Sequence, residues 1–317
     1  MGMFGQVLKE VAACFLALLM MAGGSLFPAQ PAAFEAQDAA NLNAQFSVFS
    51  DVHVDIYQLP DYINRMTSLR LALGDIANSA QTDDALVLLG DTLDENQIEE
   101  NLFFYLYMML FQKLPRENTL MAVGNHETYY THDYHKDVGK FLRNYSWYTG
   151  ETHDKSYFAK DINGYRYIVL GTQSTVSDEG DLTPAQNAWL DAQLAEATQN
   201  GKPVFVFNHQ PFPNTHGYYY EPQGVIGEQY QAIYNTLAKY DNIFFFSGHL
   251  HWGWNASRSF QTTPEGVHLL NLPSFGKELD QGQGVQVEVY NDRVLLRARN
   301  FARGAWMEDF VFDVPLV

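Results

Sequence analysis

The chain has 317 residues, 46% of them hydrophobic and 18% charged, with a formal net charge of −18. The hydrophobic fraction excludes a disordered chain, and the length suffices for one large α/β domain or two small ones. The acidic balance excludes a general nucleic-acid binder, which needs a basic face to meet phosphates, and argues against docking on anionic lipid. Clustered carboxylates are, by contrast, what a hard cation binds.

At the N-terminus Lys9 precedes an apolar run over residues 11–22, followed by Gly23-Gly24-Ser25 and a Pro/Ala-rich stretch to about Ala40. This order predicts a signal peptide and leader over residues 1–40, cut between Ala29 and Ala40. The run is shorter than the roughly 20 residues of a membrane span. No stable span is therefore expected after cleavage, and the mature protein is expected to be secreted or in the cell envelope. Cys14 is the only cysteine and lies in the leader, so neither a thiol nor a disulfide is expected in the mature chain.

Residues 41–317 read as one domain without internal repeats or long linkers. Short apolar runs rich in β-branched and aromatic residues predict strands over 45–50, 85–89, 119–123, 166–170, 203–207, 243–247 and 267–272. Several are apolar throughout, as in a sheet covered on both faces. Helices are predicted between them, over 62–78, 96–114, 184–200 and 227–240. The third opens with Thr183 as N-cap, Pro184 in the first position and Gln186 closing a capping box, and Gly201 stops it. After 272 the alternation ends: 285–290 and 293–299 flank Asn291-Asp292 as a hairpin, and 310–314 gives a last strand. The pattern predicts two packed mixed sheets with helices outside.

Five segments follow directly on predicted strands: Asp51-Val-His53, Gly90-Asp91-Thr92-Leu93-Asp94, Gly124-Asn125-His126-Glu127, Asn208-His209 and Gly248-His249-Leu250-His251. In open α/β sheets ligands bind outside the C-terminal strand ends, so such loops can converge on one point. Asp51 and His53, two apart at a strand end, are expected to point the same way, as are His249 and His251. The Asp91 carboxylate has two oxygens with which to bridge two cations, and Gly90 allows close backbone approach. Asp94 is expected outside the ligand set, orienting His126 and fixing its protonation; a helix N-cap is its alternative use. Asn125 offers a neutral hard oxygen. His126 beside it is placed to act as a general acid or as a donor to phosphoryl oxygens and leaving group. His209 adds an imidazole after the 203–207 run. Mixed nitrogen and oxygen ligands admit Mn, Fe, Zn or Co, so two divalent or trivalent ions are expected, of open identity. His132, His135, His153, His216 and His268 are given no metal role. Aromatic residues crowd the expected rim, among them Tyr129, Tyr130, Trp147, Tyr148, Trp252, Trp254 and the tyrosines at 218–220, and a base or sugar could stack there.

The ordered set D-x-H, G-D-x-x, G-N-H-[DE], H and G-H-x-H, running from Asp51 to His251, resembles the calcineurin-like metallophosphoesterase superfamily, here a bacterial exported branch. The resemblance implies a four-layer α/β/β/α sandwich with two mixed β-sheets and a dinuclear centre. One metal would take Asp51, His53, Asp91 and His251; the other would take Asp91, Asn125, His209 and His249; His126 would be the non-ligand catalytic histidine. The implied reaction is hydrolysis of phosphate mono- or diesters of small molecules by in-line attack of a metal-bridging hydroxide. Purple acid phosphatases carry a tyrosine where this chain has Asp94, and Ser/Thr protein phosphatases an arginine where it has Glu95, so neither branch is expected. Cyclic-nucleotide phosphodiesterases share an aspartate at position 94, which keeps them as an alternative. The acidic balance weighs against a nuclease or phospholipid esterase. The filled ligand pattern weighs against a non-catalytic binding protein.

Overall fold

Two six-stranded mixed sheets organise the computed structural model, which describes residues 33–175, 178–216, 224–255, 257–277 and 280–317. The expected signal run, Cys14 and the tyrosines at 218–220 lie outside the described residues. In chain order the elements are β1 (Ala44–Phe49), α1 (Leu59–Ala77), β2 (Ala85–Leu88), α2 (Ile98–Phe111), β3 (Thr119–Met121), α3 (Tyr134–Thr149), β4 (Phe158–Ile162), β5 (Tyr165–Val169) and α4 (Pro184–Ala197). They continue with β6 (Val204–Phe207), α5 (Tyr230–Leu237), β7 (Ile243–Ser247), β8 (Phe260–Thr262), β9 (His268–Asn271), β10 (Gln283–Val289), β11 (Arg293–Asn300) and β12 (Ala305–Pro315). One sheet has the order β12-β11-β10-β1-β2-β3 and the other β4-β5-β6-β7-β9-β8. β1, β2 and β3 are mutually parallel, and so are β5, β6, β7 and β9.

The period-two pleat sorts the apolar runs into layers. Phe205, Phe207, Phe244 and Phe246 join the core between the sheets, where the Phe46 ring lies 4.8 Å from Phe205 and 5.0 Å from Tyr167. Their neighbours Val204, Val206, Ile243 and Phe245 turn the other way, onto Leu190 and Leu194 of α4 and Ile233 and Leu237 of α5. On the first sheet, α1 buries Tyr62, Met66, Leu69, Leu73 and Ile76, which recur at helical spacing. Helix, sheet, sheet and helix thus form the four expected layers. Among the described residues no helix is long and apolar enough to cross a membrane.

Three elements escaped prediction. The edge strands β4 and β8 are short and half polar. Helix α3 has the signals of a helix: Asp133 caps it by accepting from the Lys136 amide at 3.2 Å, and Gly150 ends it in the left-handed region. Its apolar positions Val138, Phe141, Tyr145 and Tyr148 face the core, so Tyr148 is a core residue and not part of a rim. The capping box expected at Thr183 is half made. Thr183 accepts from the Gln186 amide, but the Gln186 side chain instead bonds the backbone of Gly171, at 3.0 Å to N and 2.9 Å to O. Packing also begins upstream of residue 41. Phe34 is in the core, its ring 4.2 Å from the Arg299 guanidinium carbon, which in turn pairs with the buried Asp75.

A buried carboxyl in the first sheet yields a pH-dependent prediction. Asp83 Oδ1 accepts from Gln45 and Gln286 amides at 2.8 Å each, while Ser47 Oγ stands 2.5 Å from Oδ2 and 2.8 Å from Gln286 Oε1. Ser47 has one proton for two acceptors, so both contacts become hydrogen bonds only if Asp83 carries a proton. Burial indeed raises this carboxyl from 3.8 to about 7. The unfolded chain releases the proton near pH 4 and the folded protein keeps it to about pH 7, so this stabilisation is complete below the lower value and is lost as pH rises between them. Asp83→Asn should flatten that fall. Melting curves of both proteins between about pH 4.5 and 7.5 check it; parallel pH profiles would show that Asp83 is ionised in the fold.

Candidate metal centre

The five motif segments meet beyond the C-terminal ends of β1, β2, β3, β6 and β7, and their convergence depends on left-handed backbone. Asp51, His53, Asp91, His249 and His251 have φ of 56°, 51°, 46°, 69° and 49°. Non-glycine residues adopt this region rarely, at a cost of about 1–3 kcal/mol each, and only where surrounding structure enforces it. The expected explanation, two side chains on one side of an extended strand end, is therefore corrected: β1 and β7 have ended, and left-handed backbone brings Asp51 and His53 into one group of ligand atoms but His249 and His251 into different ones.

The enforcing structure is visible. The carboxylate of Glu127 is buried and collects four backbone amides: Asp91 at 2.9 Å and Gly124 at 2.8 Å on Oε2, Thr92 at 2.8 Å and Leu93 at 3.1 Å on Oε1. Burial and the charge of Asp91 push the Glu127 carboxyl up, yet every lone-pair direction meets a donor, which favours the ionised form. The motif contained Glu127, but nothing local announced this role. Ser274 Oγ donates to Asp51 O at 2.9 Å, and the buried Arg65 guanidinium donates to His53 O. Gly124 and Gly248 are needed for close approach: a Cβ on the first would overlap the Asp91 carboxylate, and on the second Ser50 Oγ and Asp51 Oδ2.

Each aspartate commits one oxygen to the scaffold and turns the other inward. Asp51 Oδ2 accepts from Ser50 Oγ at 2.5 Å and the His249 amide at 3.0 Å, leaving Oδ1 2.9 Å from His251 Nε2. Asp91 Oδ1 accepts from the His126 amide at 3.0 Å, leaving Oδ2 3.0 Å from His209 Nε2 and 3.8 Å from His53 Nε2. Sharing by Asp91 would thus run through one oxygen, not the two expected. The ring nitrogens are sorted likewise: His209 Nδ1 donates to Leu89 O at 2.7 Å, and His53 Nδ1 lies 2.9 Å from Asp94 Oδ1, so their Nε2 atoms face the centre.

Among the described residues three groups of ligand atoms result, Asp51, His53, Asp91 and His251 in one, Asp91, His209 and His249 in a second, and His53, Asp94 and His126 in a third, with the atoms of each within 4.8 Å of one another; the first two share Asp91. Asn125 Oδ1, also buried, has no hydrogen-bond partner among the described residues. Inward lone pairs outnumber the protons available to separate them; His53 Nε2 and His251 Nε2 stand 3.0 Å apart. Burial would raise Asp51 and Asp91, but the surrounding imidazoles, His209 foremost, hold both carboxyls well below their usual range. Burial would lower His209, but Asp91 and Asp51 push it up to about 10, while burial and the His209 charge press His249 down to about 4. A cation pair meets this imbalance, and the oxygen and nitrogen donors fit one.

Asp94 is placed differently from expectation. Its carboxylate bonds His53, not His126, and reaches Lys277 Nζ at 3.0 Å. His126 Nδ1 instead meets the backbone carbonyl of Asp94. The alternative N-cap use fails too, because α2 is capped at Gln97, with Glu100 accepting from the Gln97 amide at 3.2 Å. Burial opposes a high His126 pKa, but the charge of Asp91 and the carbonyl bond raise it. Two residues at the site had no sequence signal. Asp178 Oδ1 lies 3.4 Å from Asn125 Nδ2, and Lys277 arrives from the loop after β9. Of the expected rim, Tyr129 is beside the centre, its ring 5.4 Å from His126, whereas Trp254 packs against the core and stacks with Phe310.

A family model described as "Calcineurin-like phosphoesterase" matches residues 44–253. Among solved structures, a dimetal phosphatase from Danio rerio superposes with a TM-score of 0.64 at 15% identity, covering 87% of this chain and all (100%) of its own. A conserved uncharacterised protein of Streptococcus pneumoniae, described as a predicted phosphoesterase, gives 0.41 at 11% identity over 86% of this chain and 97% of its own. No curated protein sequence matches. With the motif order, the two-sheet fold and the buried Asp/His clusters in agreement, the chain belongs to the calcineurin-like phosphoesterase family, a family of metal-dependent enzymes.

Proposed function

We propose that the protein is an exported phosphoesterase that hydrolyses phosphate mono- or diesters of small molecules at two metal ions. The observation that carries this reading is the pair of ligand clusters sharing Asp91. Asp51, His53, Asp91 and His251 would hold one ion, and Asp91, Asn125, His209 and His249 the other. Such a pair supplies Lewis acidity, polarising the phosphoryl group and acidifying water. The chain's own residues do the rest. Asp94 holds His53 in the tautomer that presents Nε2 inward. The Asp94 carbonyl accepts from His126 Nδ1–H, which leaves Nε2 to carry the proton delivered to the departing alkoxide. Export rests on the N-terminal pattern, and a cut upstream of Phe34, which packs in the core, is the one proposed.

The test is turnover of p-nitrophenyl phosphate and bis-p-nitrophenyl phosphate by stripped protein given back Mn, Fe, Zn or Co. Preference for the diester assigns a phosphodiesterase, and preference for the monoester a phosphatase. Absence of turnover with every metal refutes the reading. His126→Ala should cost about 10²–10⁴-fold with an alkyl phosphoester and much less with the p-nitrophenyl ester, whose leaving group needs no proton. Equal losses on both substrates would remove His126 from the acid role.

A further inference from the structure

We infer that Trp252 and Arg258 form a subsite beside the metal centre that binds a second oxyanion of the substrate. This rests on the phosphoesterase reading and adds a substrate class to it. The chain leaves the centre directly after His251 and borders a cavity of about 100 Å³ lined by His216, Trp252, Gly253, Asn255, Arg258 and Asn271. The cavity shares a wall with the centre, because Asn271 Nδ2 donates to Gly248 O at 2.7 Å, one residue before His249.

Arg258 brings the charge. Its guanidinium carbon lies 5.6 Å from the centroid of the Trp252 ring. Arg258 is exposed, and among the described residues no ion pair to a carboxylate is seen for it, nor for Arg116 and Arg143, whereas Arg65, Arg166, Arg293, Arg297, Arg299 and Arg303 each have one. In a chain of net charge −18 an uncommitted arginine beside an acidic centre is conspicuous by its chemistry. Its backbone is pinned on both sides: Arg258 N donates to Asn255 O at 3.0 Å, and His216 Nδ1 donates to Arg258 O at 2.6 Å. Burial holds His216 down to about 4, so it is neutral and leaves Arg258 the only cation lining the cavity among the described residues.

A guanidinium lying against an indole keeps its planar fork free for two parallel bonds to a phosphate or carboxylate. The cavity volume suits one such group. The substrate class is therefore a phosphoester with a second phosphate or a carboxylate a few atoms from the scissile phosphorus. The carboxylates of the centre repel such a substrate, and Arg258 offsets that repulsion locally.

The experiment compares phenyl phosphate, carboxyphenyl phosphate and phenylene bisphosphate with metal-loaded wild type, Arg258→Gln and Arg258→Lys. The expected result is a wild-type KM about tenfold lower, relative to phenyl phosphate, for one or both probes that carry a second anionic group, lost in Arg258→Gln and partly restored in Arg258→Lys. Which probe gains identifies phosphate or carboxylate as the second group. Equal KM values in the wild type, or a preference that survives Arg258→Gln, overturn the subsite. Calorimetric titration of phenylene bisphosphate and of benzene dicarboxylate into metal-stripped protein separates the two readings. Binding that weakens about tenfold in Arg258→Gln supports the subsite even if no ester is turned over, and unchanged or absent binding there overturns it.

Discussion

Asp91→Asn is expected to lower kcat/KM by about 10³-fold or more, some 4 kcal/mol of transition-state stabilisation, and to reduce bound metal from two ions per chain to one or none. Asp91 is common to two of the groups of ligand atoms, and its Oδ2 lies within 4 Å of His53, His126 and His209 together. Asparagine preserves the shape and the Oδ1 bond from the His126 amide but removes the charge. It also turns an NH₂ group, with no lone pair to share, toward His209 Nε2. Metal analysis beside kinetics distinguishes this from simple unfolding. Activity within tenfold of wild type at full metal content would show that Asp91 is not the shared ligand.

Glu127→Gln should produce the largest loss of stability of any single isosteric change near the site. Glutamine keeps one carbonyl oxygen for two of the four amides and presents an NH₂ to the other two. Two buried amides without acceptors cost about 2–6 kcal/mol, on the order of 3–10 °C in Tm for a protein of this size. The amides concerned belong to Asp91, Thr92, Leu93 and Gly124. The melt should therefore be accompanied by weaker metal retention even in the protein that remains folded, because Asp91 is held in its left-handed conformation by this carboxylate. A variant melting within 2 °C of wild type, with metal fully retained, would mean that the loop is held from elsewhere.

Much of this protein was legible along the chain because the signals are local. A short apolar run rich in β-branched and aromatic residues and bounded by turn residues reads as a strand, and the sheet period then fixes that Phe205 and Phe207 share one face and Val204 and Val206 the other. The same locality puts the five motif segments after β1, β2, β3, β6 and β7. It also made α3 readable in principle, through Asp133 and Gly150, although a glycine and a crowd of aromatics within it obscured the period.

Tertiary structure alone decided which atoms meet. Asp94 is paired across 183 residues with Lys277, and Asp51 across 200 with His251, separations at which no periodicity operates. The aspartate three residues from Asp91 could serve His126, cap a helix or bind His53, and these options are equal in sequence. The parallel pairing of β1 with β2, continued at the Val54–Leu93 bridge, chose the last. Asp178 and Arg258 carry no motif at all, since each reaches its place from a loop whose course is set by packing. The left-handed turns at Asp51 and His249 belong to the same class: an isolated chain would relax out of them, and only the bonds from Gly276, Ser274 and the Glu127-braced loop make that conformation the lower in free energy.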